Sequence, residues 1–273
     1  MKKSTILLAV FFLTYPIWAQ DNWEYYERES SEIKQLLREA GCDIYPKYYQ
    51  GTWEELLRIN APLPFYERLL ALGESIEPES DTSPLVKAIE HNNYEVVNFL
   101  INRGANVNRE HRFRRTPLHF AAGEADTRIL MRLIEAGAEV NKSNESGYTP
   151  LHLAAYNKEK IELLLANGAN INAVTTDGLT PLMVAARIPN CSNEVIQTLL
   201  AARSNINATD INGQSALIIA ARYTARPAII TLLLNAGANA KLEDNTGRTA
   251  LDWFDLNKRL SRHPVRKELK DRT

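Results

Sequence analysis

Histidine and cysteine are the residues of this 273-residue chain that could carry metal or thiol chemistry, and there are five histidines and two cysteines. His119 and His152 stand thirty-three residues apart, and imidazoles are common zinc ligands. Neither has an Asp, Glu or Cys at a ligand spacing, and no Gly-rich phosphate loop or serine nucleophile motif occurs. We therefore predict no metal, no cofactor and no enzymatic activity.

The two cysteines are Cys42 and Cys191. Cys191 falls within Ile188–Ser192, which reads Ile-Pro-Asn-Cys-Ser and which we expect to be an exposed loop. Because an exposed thiol can be reactive, a redox-active protein that uses Cys191 is one alternative for the function.

The elements that must position these residues repeat along the chain. Thr-Pro-Leu-His occurs at Thr116–His119 and again at Thr149–His152. Weaker copies of the motif begin at Ser83, Thr180, Ser215 and Thr249, so the successive starts are 33, 33, 31, 35 and 34 residues apart. A period near 33 predicts a stack of one small unit, each burying its apolar face against its neighbours.

The longer stretch Thr-Pro-Leu-His-x-Ala-Ala, at Thr116–Ala122 and Thr149–Ala155, resembles the signature of the ankyrin repeat. A second landmark, Gly-Ala followed by a short apolar-polar segment, ends successive units at Gly104–Asn108, Gly137–Asn141, Gly168–Asn172 and Gly237–Lys241. The resemblance implies an all-α repeat solenoid. It would contain helix-turn-helix repeats with β-hairpin fingers, about six to seven of them, and an N-terminal helical cap.

Each landmark has a physical reason. The Thr hydroxyl caps the first helix, Pro fits its first turn, and the Ala pair permits close helix packing. Because Arg203 and Ser204 replace one Gly-Ala pair, we expect that helix to end less tightly. Arg114 stands where a finger glycine is expected, which leaves the shape of that finger open. On the family's pattern, the imidazoles of His119 and His152 hydrogen-bond the backbone of the neighbouring finger.

The chain start indicates export. Lys2 and Lys3 precede an apolar run that ends Ile-Trp-Ala at residue 19, a signal-peptidase site, and the run is too short for a membrane span. The expected domains are a signal peptide at 1–19, an N-terminal helical cap or half-repeat at 20–51, an ankyrin-repeat domain at 52–257 and a basic C-terminal cap or tail at 258–273. The short basic start is of bacterial type, so we expect a periplasmic protein, with an extracellular one as the alternative, and no membrane insertion of the mature chain.

The charge balance argues against nucleic acid. The net charge is −1, and removal of residues 1–19 leaves 30 basic against 33 acidic residues, a net of −3. An internal disulfide is excluded if the solenoid holds, because Cys42 and Cys191 lie about four repeats, on the order of 40 Å, apart, whereas a bridge needs α-carbons within about 7 Å. We expect a monomer.

The resemblance also implies a partner-binding face. In the family's register it is formed by the residues just before the motif Thr or Ser and just after the Ala pair. Here these residues are Arg115, Tyr148, Leu179, Gln214, Arg248, Tyr156, Asn157, Arg187, Ile188, Arg222 and Tyr223. The loop Arg109–Arg115 adds four arginines and Phe113, with Arg112 beside it, and a basic stripe of this kind favours a partner with an acidic patch.

The predicted function is therefore that of an exported scaffold that binds a protein partner through its concave face and finger tips. In the bacterial periplasm it would support or sequester another envelope protein, or neutralise a toxin as an immunity protein does. A secreted effector that binds host proteins would need the same surface. Self-assembly through the ends of the array is a further alternative.

Overall fold

The computed structural model describes residues 31–41, 52–78, 83–260 and 263–273. The predicted signal peptide, 1–19, and Cys42 lie outside the described residues, as does most of the predicted cap at 20–51. The chain divides into two compact units, 1–79 and 80–273. Within the described ranges, no helix is long and apolar enough to cross a membrane.

In the first unit three helices pack against one another. They are α1 (Ser31–Glu39), α2 (Thr52–Arg58) and α3 (Leu63–Ala71). The fully buried leucines of this unit are Leu36, Leu37, Leu56 and Leu69, and the rings of Trp53 and Tyr66 stack with their centroids 5.9 Å apart. These side chains give the unit a small apolar core of its own.

The second unit is built from helix pairs that follow one another along the chain. Their first helices are α4 (Pro84–Glu90), α6 (Pro117–Gly123), α8 (Pro150–Leu153), α10 (Pro181–Arg187), α12 (Ala216–Tyr223) and α14 (Ala250–Leu256). Their second helices are α5 (Tyr94–Asn102), α7 (Thr127–Glu135), α9 (Lys158–Ala166), α11 (Asn193–Ala201), α13 (Pro227–Asn235) and α15 (Val265–Arg272). Each first helix packs on the next first helix and on its own partner, and the second helices do likewise, so the unit has two helical layers.

The motif residues start and space the first helices. The hydroxyl of Thr180 accepts a hydrogen bond from Met183 N at 3.3 Å, and Pro181 occupies the first turn, where no N–H donor is needed. The alanines that end the motif have relative exposures of 1% or less: Ala121, Ala122, Ala154, Ala155, Ala185, Ala186, Ala220 and Ala221. Their small side chains let neighbouring first helices approach closely, as the sequence predicts.

The second helices end on left-handed residues. Gly104, with φ +90°, donates to Ile101 O at 3.0 Å while Ala105 N donates to Leu100 O at 3.0 Å, which satisfies two terminal carbonyls. Arg203 adopts the same conformation with φ +64°. There the second bond, from Ser204 N to Leu199 O, lengthens to 3.4 Å, and the Ser204 hydroxyl donates to the same carbonyl at 2.7 Å. The end of α11 is therefore looser, as expected, in the bond from Ser204 N to Leu199 O.

Five inter-repeat turns connect the helix pairs. They are residues 111–115, 144–148, 175–179, 210–214 and 244–248, and each is closed by a backbone hydrogen bond of 2.8–3.1 Å from its first N–H to its last carbonyl. No residue of the described ranges is assigned to a strand, and the turns contribute two isolated antiparallel bridges, at His111/Arg115 and Thr209/Ser215. The observed loops are therefore closed turns and are shorter than the predicted β-hairpins.

Successive turns are bonded to one another. The amide of Glu145 donates to Phe113 O, Thr176 to Ser146 O, Ile211 to Asp177 O and Asn245 to Asn212 O, at 2.9–3.0 Å. Gly147 shows why this approach needs glycine: a β-carbon there would lie 2.6 Å from Thr176 N. Side-chain hydrogen bonds also join successive repeats, and they give a role to the asparagine that ends the Gly-Ala landmark. For example, Asn141 Oδ1 accepts from Asn170 N at 2.7 Å.

Candidate partner-binding surface

The motif histidines link one repeat to the next. His119 Nδ1 accepts from Thr116 N at 3.1 Å, so its Nε2 carries the proton and donates to Tyr148 O in the following turn at 3.0 Å. His152 bonds Leu179 O in the same way at 3.0 Å. Burial lowers the pKa of His119 to about 4 and also lowers the pKa of His152. The predicted role in bonding the neighbouring turn is confirmed, and across the described residues no three His, Cys, Asp or Glu side chains converge as a metal site would require.

Cys191 is buried, and the prediction of an exposed thiol is wrong. Its relative exposure is 2%, and burial raises the pKa of the thiol to about 11. The cause is the next repeat, which ties the inserted loop down: Ala225 N donates to Pro189 O at 2.8 Å. A thiol that is buried and protonated at neutral pH is a poor nucleophile, so the structure argues against the redox alternative.

The loop 109–115 carries both signs of charge. Arg114 Nε lies 3.1 Å from Glu110 Oε2, and Lys142 Nζ lies 2.9 Å from Glu110 Oε1. The hydrogen bonds from Arg114 and Lys142 lower the pKa of Glu110 to about 2. One arginine of this basic loop is thus paired with a carboxylate of the same loop, and Arg112 is a further exposed positive charge there.

The same loop displays an aromatic ring. Phe113 and Arg114 both have a left-handed backbone, with φ +61° and +56°, in a short 3-10 turn at Arg112–Arg114. Phe113 is 57% exposed, with the Arg112 guanidinium 4.9 Å from its ring centroid. Arg115 is directed elsewhere, because its guanidinium stacks 3.9 Å from the centroid of Phe120. Two consecutive non-glycine residues in this conformation are uncommon and are a reason to look for a function at the loop.

A second group of arginines lies over the last repeats, in an arrangement that we name the arginine–aromatic row: Arg187, Tyr223, Arg222, Trp253 and Arg248. The Arg187 and Arg222 guanidinium carbons lie 5.7 and 4.9 Å from the Tyr223 centroid. Those of Arg222 and Arg248 lie 4.2 and 4.9 Å from the Trp253 centroid. In the described part of the chain, no carboxylate oxygen lies within 4 Å of these three guanidinium groups. Stacking on aromatic faces holds the arginines in place and leaves the N–H edges of Arg187 and Arg222 available.

A groove of about 240 Å³ runs beside this row. Its lining includes Arg187, Arg222 and Tyr223 from first helices and Asp177 and Asp210 from inter-repeat turns. Leu179 and Gln214 also line the groove, but their exposures are only 5% and 7%. The expectation that these two project from the surface is wrong, because each sits at the closing end of a turn that packs on the helices.

Three other residues that were predicted to contact a partner have different roles in the structure. Asn157 is the N-cap of α9, and its Oδ1 accepts from Lys160 N at 3.0 Å. Tyr148 is half-buried, with its ring edge-on to His152 at 5.7 Å. Tyr156 is 51% exposed and is free to contact a partner.

Trp253 and His111 are the residues of this surface that sequence reasoning missed. Trp253 takes the register position of Phe120, and each ring follows by five residues the arginine that stacks on it, Arg248 or Arg115. That spacing was a usable signal. His111 is 8% exposed and its Nε2 lies 3.4 Å from Ser83 Oγ, so it reaches back to a repeat whose own motif lacks a histidine.

The fold and this surface together define a class of protein: a helical repeat array that displays arginine and aromatic side chains beside a row of turns. Comparison with known families agrees. The family model for ankyrin repeats matches in three overlapping copies, over residues 85–175, 118–210 and 182–254, which together cover more than half of the chain. The chain belongs to the ankyrin-repeat family, whose members are in general non-enzymatic scaffolds for protein interaction.

Proposed function

We propose that this protein is an exported scaffold that captures a protein partner bearing an acidic patch. The observation that supports the proposal best is the arginine–aromatic row, where three guanidinium groups are held over Tyr223 and Trp253 and, among the described residues, no carboxylate oxygen lies within 4 Å of them. Arginine, tyrosine and tryptophan are the residues that most often dominate binding energy at interfaces. The repeats themselves, six to seven with finger-like turns, serve as a rigid support for this surface.

The exposed tip of the loop 109–115 is the second contact of the proposed interface. Phe113 and Arg112 are exposed there beside each other, and Arg115 and Tyr148 are the last residues of two neighbouring turns. Tyr156 and Asn157 follow the Ala pair of the next repeat. An anchor of this type adds apolar area to an interface that is otherwise electrostatic.

Capture of the partner from its native cell envelope tests the proposal. The tagged protein should retain one partner after a moderate-salt wash, and mass spectrometry would identify it. Arg187→Glu combined with Arg248→Glu should abolish retention, because both side chains are exposed and reversed charges repel an acidic patch. Lys267→Glu combined with Lys270→Glu on α15 is the matched control: it reverses two exposed charges outside the row and should leave retention unchanged. Equal retention by the arginine variant and the control would reject this surface as the interface.

Export to the periplasm is the other part of the proposal, and it is supported by the basic start and apolar run of residues 1–19. The mature protein should begin at Gln20 and be released with the periplasmic fraction. N-terminal sequencing checks the first expectation. Recovery of the protein mainly from the culture medium would instead support the secreted-effector alternative.

A further inference from the structure

We infer that the arginine–aromatic row recognises an extended segment of the partner that carries acidic side chains at every second position. The inference rests on the proposed function and names the chemistry of the segment that the row would hold. It rests on the limits that the shared rings set on the spacing of the three guanidinium groups, on the charges that line the groove and on the fixed position of Trp253.

The shared rings set upper limits on the spacing of the guanidinium groups. Arg222 and Arg248 lie 4.2 and 4.9 Å from the centroid of Trp253, so their guanidinium carbons are no more than about 9 Å apart. Arg187 and Arg222 lie 5.7 and 4.9 Å from the centroid of Tyr223, so theirs are no more than about 11 Å apart. In an extended chain, side chains two residues apart point to the same side and are separated by about 7 Å. A separation of about 7 Å lies within both limits, so flexible carboxylate side chains at alternate positions can reach successive arginines.

The groove contains two carboxylates as well as two arginines, and this limits where the partner's carboxylates can lie. Asp177 and Asp210 belong to inter-repeat turns, whereas Arg187 and Arg222 belong to first helices. The carboxylate of Asp210 is held in place, because its Oδ1 accepts from Asn212 N at 2.9 Å and from Gln214 N at 2.8 Å. A segment that is acidic on both sides would be repelled by these two carboxylates. A segment with acidic side chains on just one side can direct that side towards the arginines and its other side towards the two aspartates.

Trp253 makes the row rigid. Its indole N–H donates to Asp244 Oδ2 at 2.7 Å, and Asp244 is 6% exposed within the last inter-repeat turn. The two arginines on this ring are thus positioned before any partner arrives, which reduces the ordering that binding must impose. Guanidinium groups held on aromatic faces present a planar N–H edge that matches a carboxylate.

Two peptides of equal charge test the inference by isothermal titration calorimetry with the mature protein. One has three glutamates at every second position and the other has three at every third position, separated by serines. We expect the first to bind at least about tenfold more tightly, because only its carboxylates share one side of an extended chain. Raising the salt from about 0.02 M to about 0.15 M should weaken binding severalfold.

Matched variants locate the site. Arg222→Gln should weaken binding of the alternating peptide by about tenfold or more, whereas Lys267→Gln, an exposed position on α15 outside the proposed interface, should leave it unchanged. Far-ultraviolet circular dichroism confirms that both variants are folded. Several results would overturn the inference: equal affinity for the two peptides, an effect of Lys267→Gln as large as that of Arg222→Gln, or no heat of binding at millimolar peptide. Tighter binding of a single-stranded oligothymidine would overturn it in favour of nucleic acid.

The same assay separates this inference from the proposed function. If a partner is captured through the row but is not displaced by the alternating peptide, the inference fails and the scaffold function stands. If the peptide binds as expected and no partner is retained from the envelope, the row has the inferred preference and the proposed function fails.

Discussion

Trp253 donates its indole N–H to Oδ2 of Asp244, 2.7 Å away, and so joins helix α14 to the inter-repeat turn that precedes it. Oδ1 of the same carboxylate accepts from Thr246 N at 2.8 Å, Thr246 Oγ1 at 2.6 Å and Arg248 N at 3.2 Å. One side chain therefore organises the turn and holds the ring on which two arginines stack. The last turn and the arginine–aromatic row depend on each other.

We predict that Asp244→Ala destabilises the protein by about 2–3 kcal/mol, because it leaves several donors of the turn without their charged acceptor. Burial alone would raise the pKa of Asp244, but the hydrogen bonds from Thr246 and Trp253 hold it well below its usual range. The carboxylate's contribution is therefore complete above about pH 4 and is lost as the pH falls below that. Urea unfolding followed by circular dichroism measures both effects. Asp210→Ala in the preceding turn is the comparison, and it should cost less because no indole bonds to Asp210.

The pH dependence near neutrality should come from the motif histidines. Burial lowers the pKa of His119 to about 4, against 6.5 for an unperturbed histidine. Between these values the unfolded chain binds a proton that the folded chain does not, so stability is complete above about pH 6.5 and falls as the pH decreases towards 4. The expected loss from His119 between about pH 7 and about pH 5.5 is about 1–2 kcal/mol.

Urea unfolding midpoints across that pH range would measure the loss. His119→Gln removes the titrating group and should give a shallower pH dependence on a less stable protein. An unchanged pH dependence in the variant would show that His119 is not the source.

Much of the helix pairing follows from the sequence because its signals are local. The Thr-Pro start, the Ala pair and the Gly-Ala end each act within one helix or turn, through capping, side-chain volume or a left-handed residue. The position of Cys191 was predicted wrongly because the bond that buries its loop, from Ala225 N to Pro189 O, joins residues in different repeats. The contacts of Trp253 were not predicted for a related reason. Its partners are Asp244, Arg222 and Arg248, and they are brought together by the stacking of repeats and by the turn rather than by one motif.

Lys160 makes a further contact between repeats that the sequence does not reveal. It is 3% exposed, and its Nζ donates to Ala121 O at 2.9 Å and to Ala122 O at 3.1 Å, near the end of α6 in the preceding repeat. Lys160→Met preserves most of the volume but leaves those two carbonyls without their donor, so we expect a loss of about 1–3 kcal/mol. Lys158→Met, an exposed position on the same helix, should change stability by less than about 0.5 kcal/mol. Equal effects of the two substitutions would contradict the role assigned to Lys160.

Ala154 tests the packing of the first-helix layer. Its side chain is fully buried at the end of α8, so Ala154→Asp should destabilise by several kcal/mol, because it places an unpaired charge between helices. Ala228→Asp is the control, since Ala228 is exposed in the first turn of α13, where a negative charge is tolerated. Thermal unfolding of both variants distinguishes the two cases. Similar melting temperatures would mean that the register of the repeat is wrong.

The thiol of Cys191 should be unreactive while the protein is folded. With a thiol pKa of about 11, only about one molecule in a thousand carries the thiolate at pH 8, and the side chain is buried as well. In a Cys42→Ser background, an aromatic disulfide reagent should therefore label Cys191 at a rate that rises steeply when urea unfolds the chain. Because the loop is fixed by the bond from Ala225 N to Pro189 O, local opening alone should contribute little. Labelling of the folded protein as fast as that of the unfolded chain would restore the case for a reactive thiol.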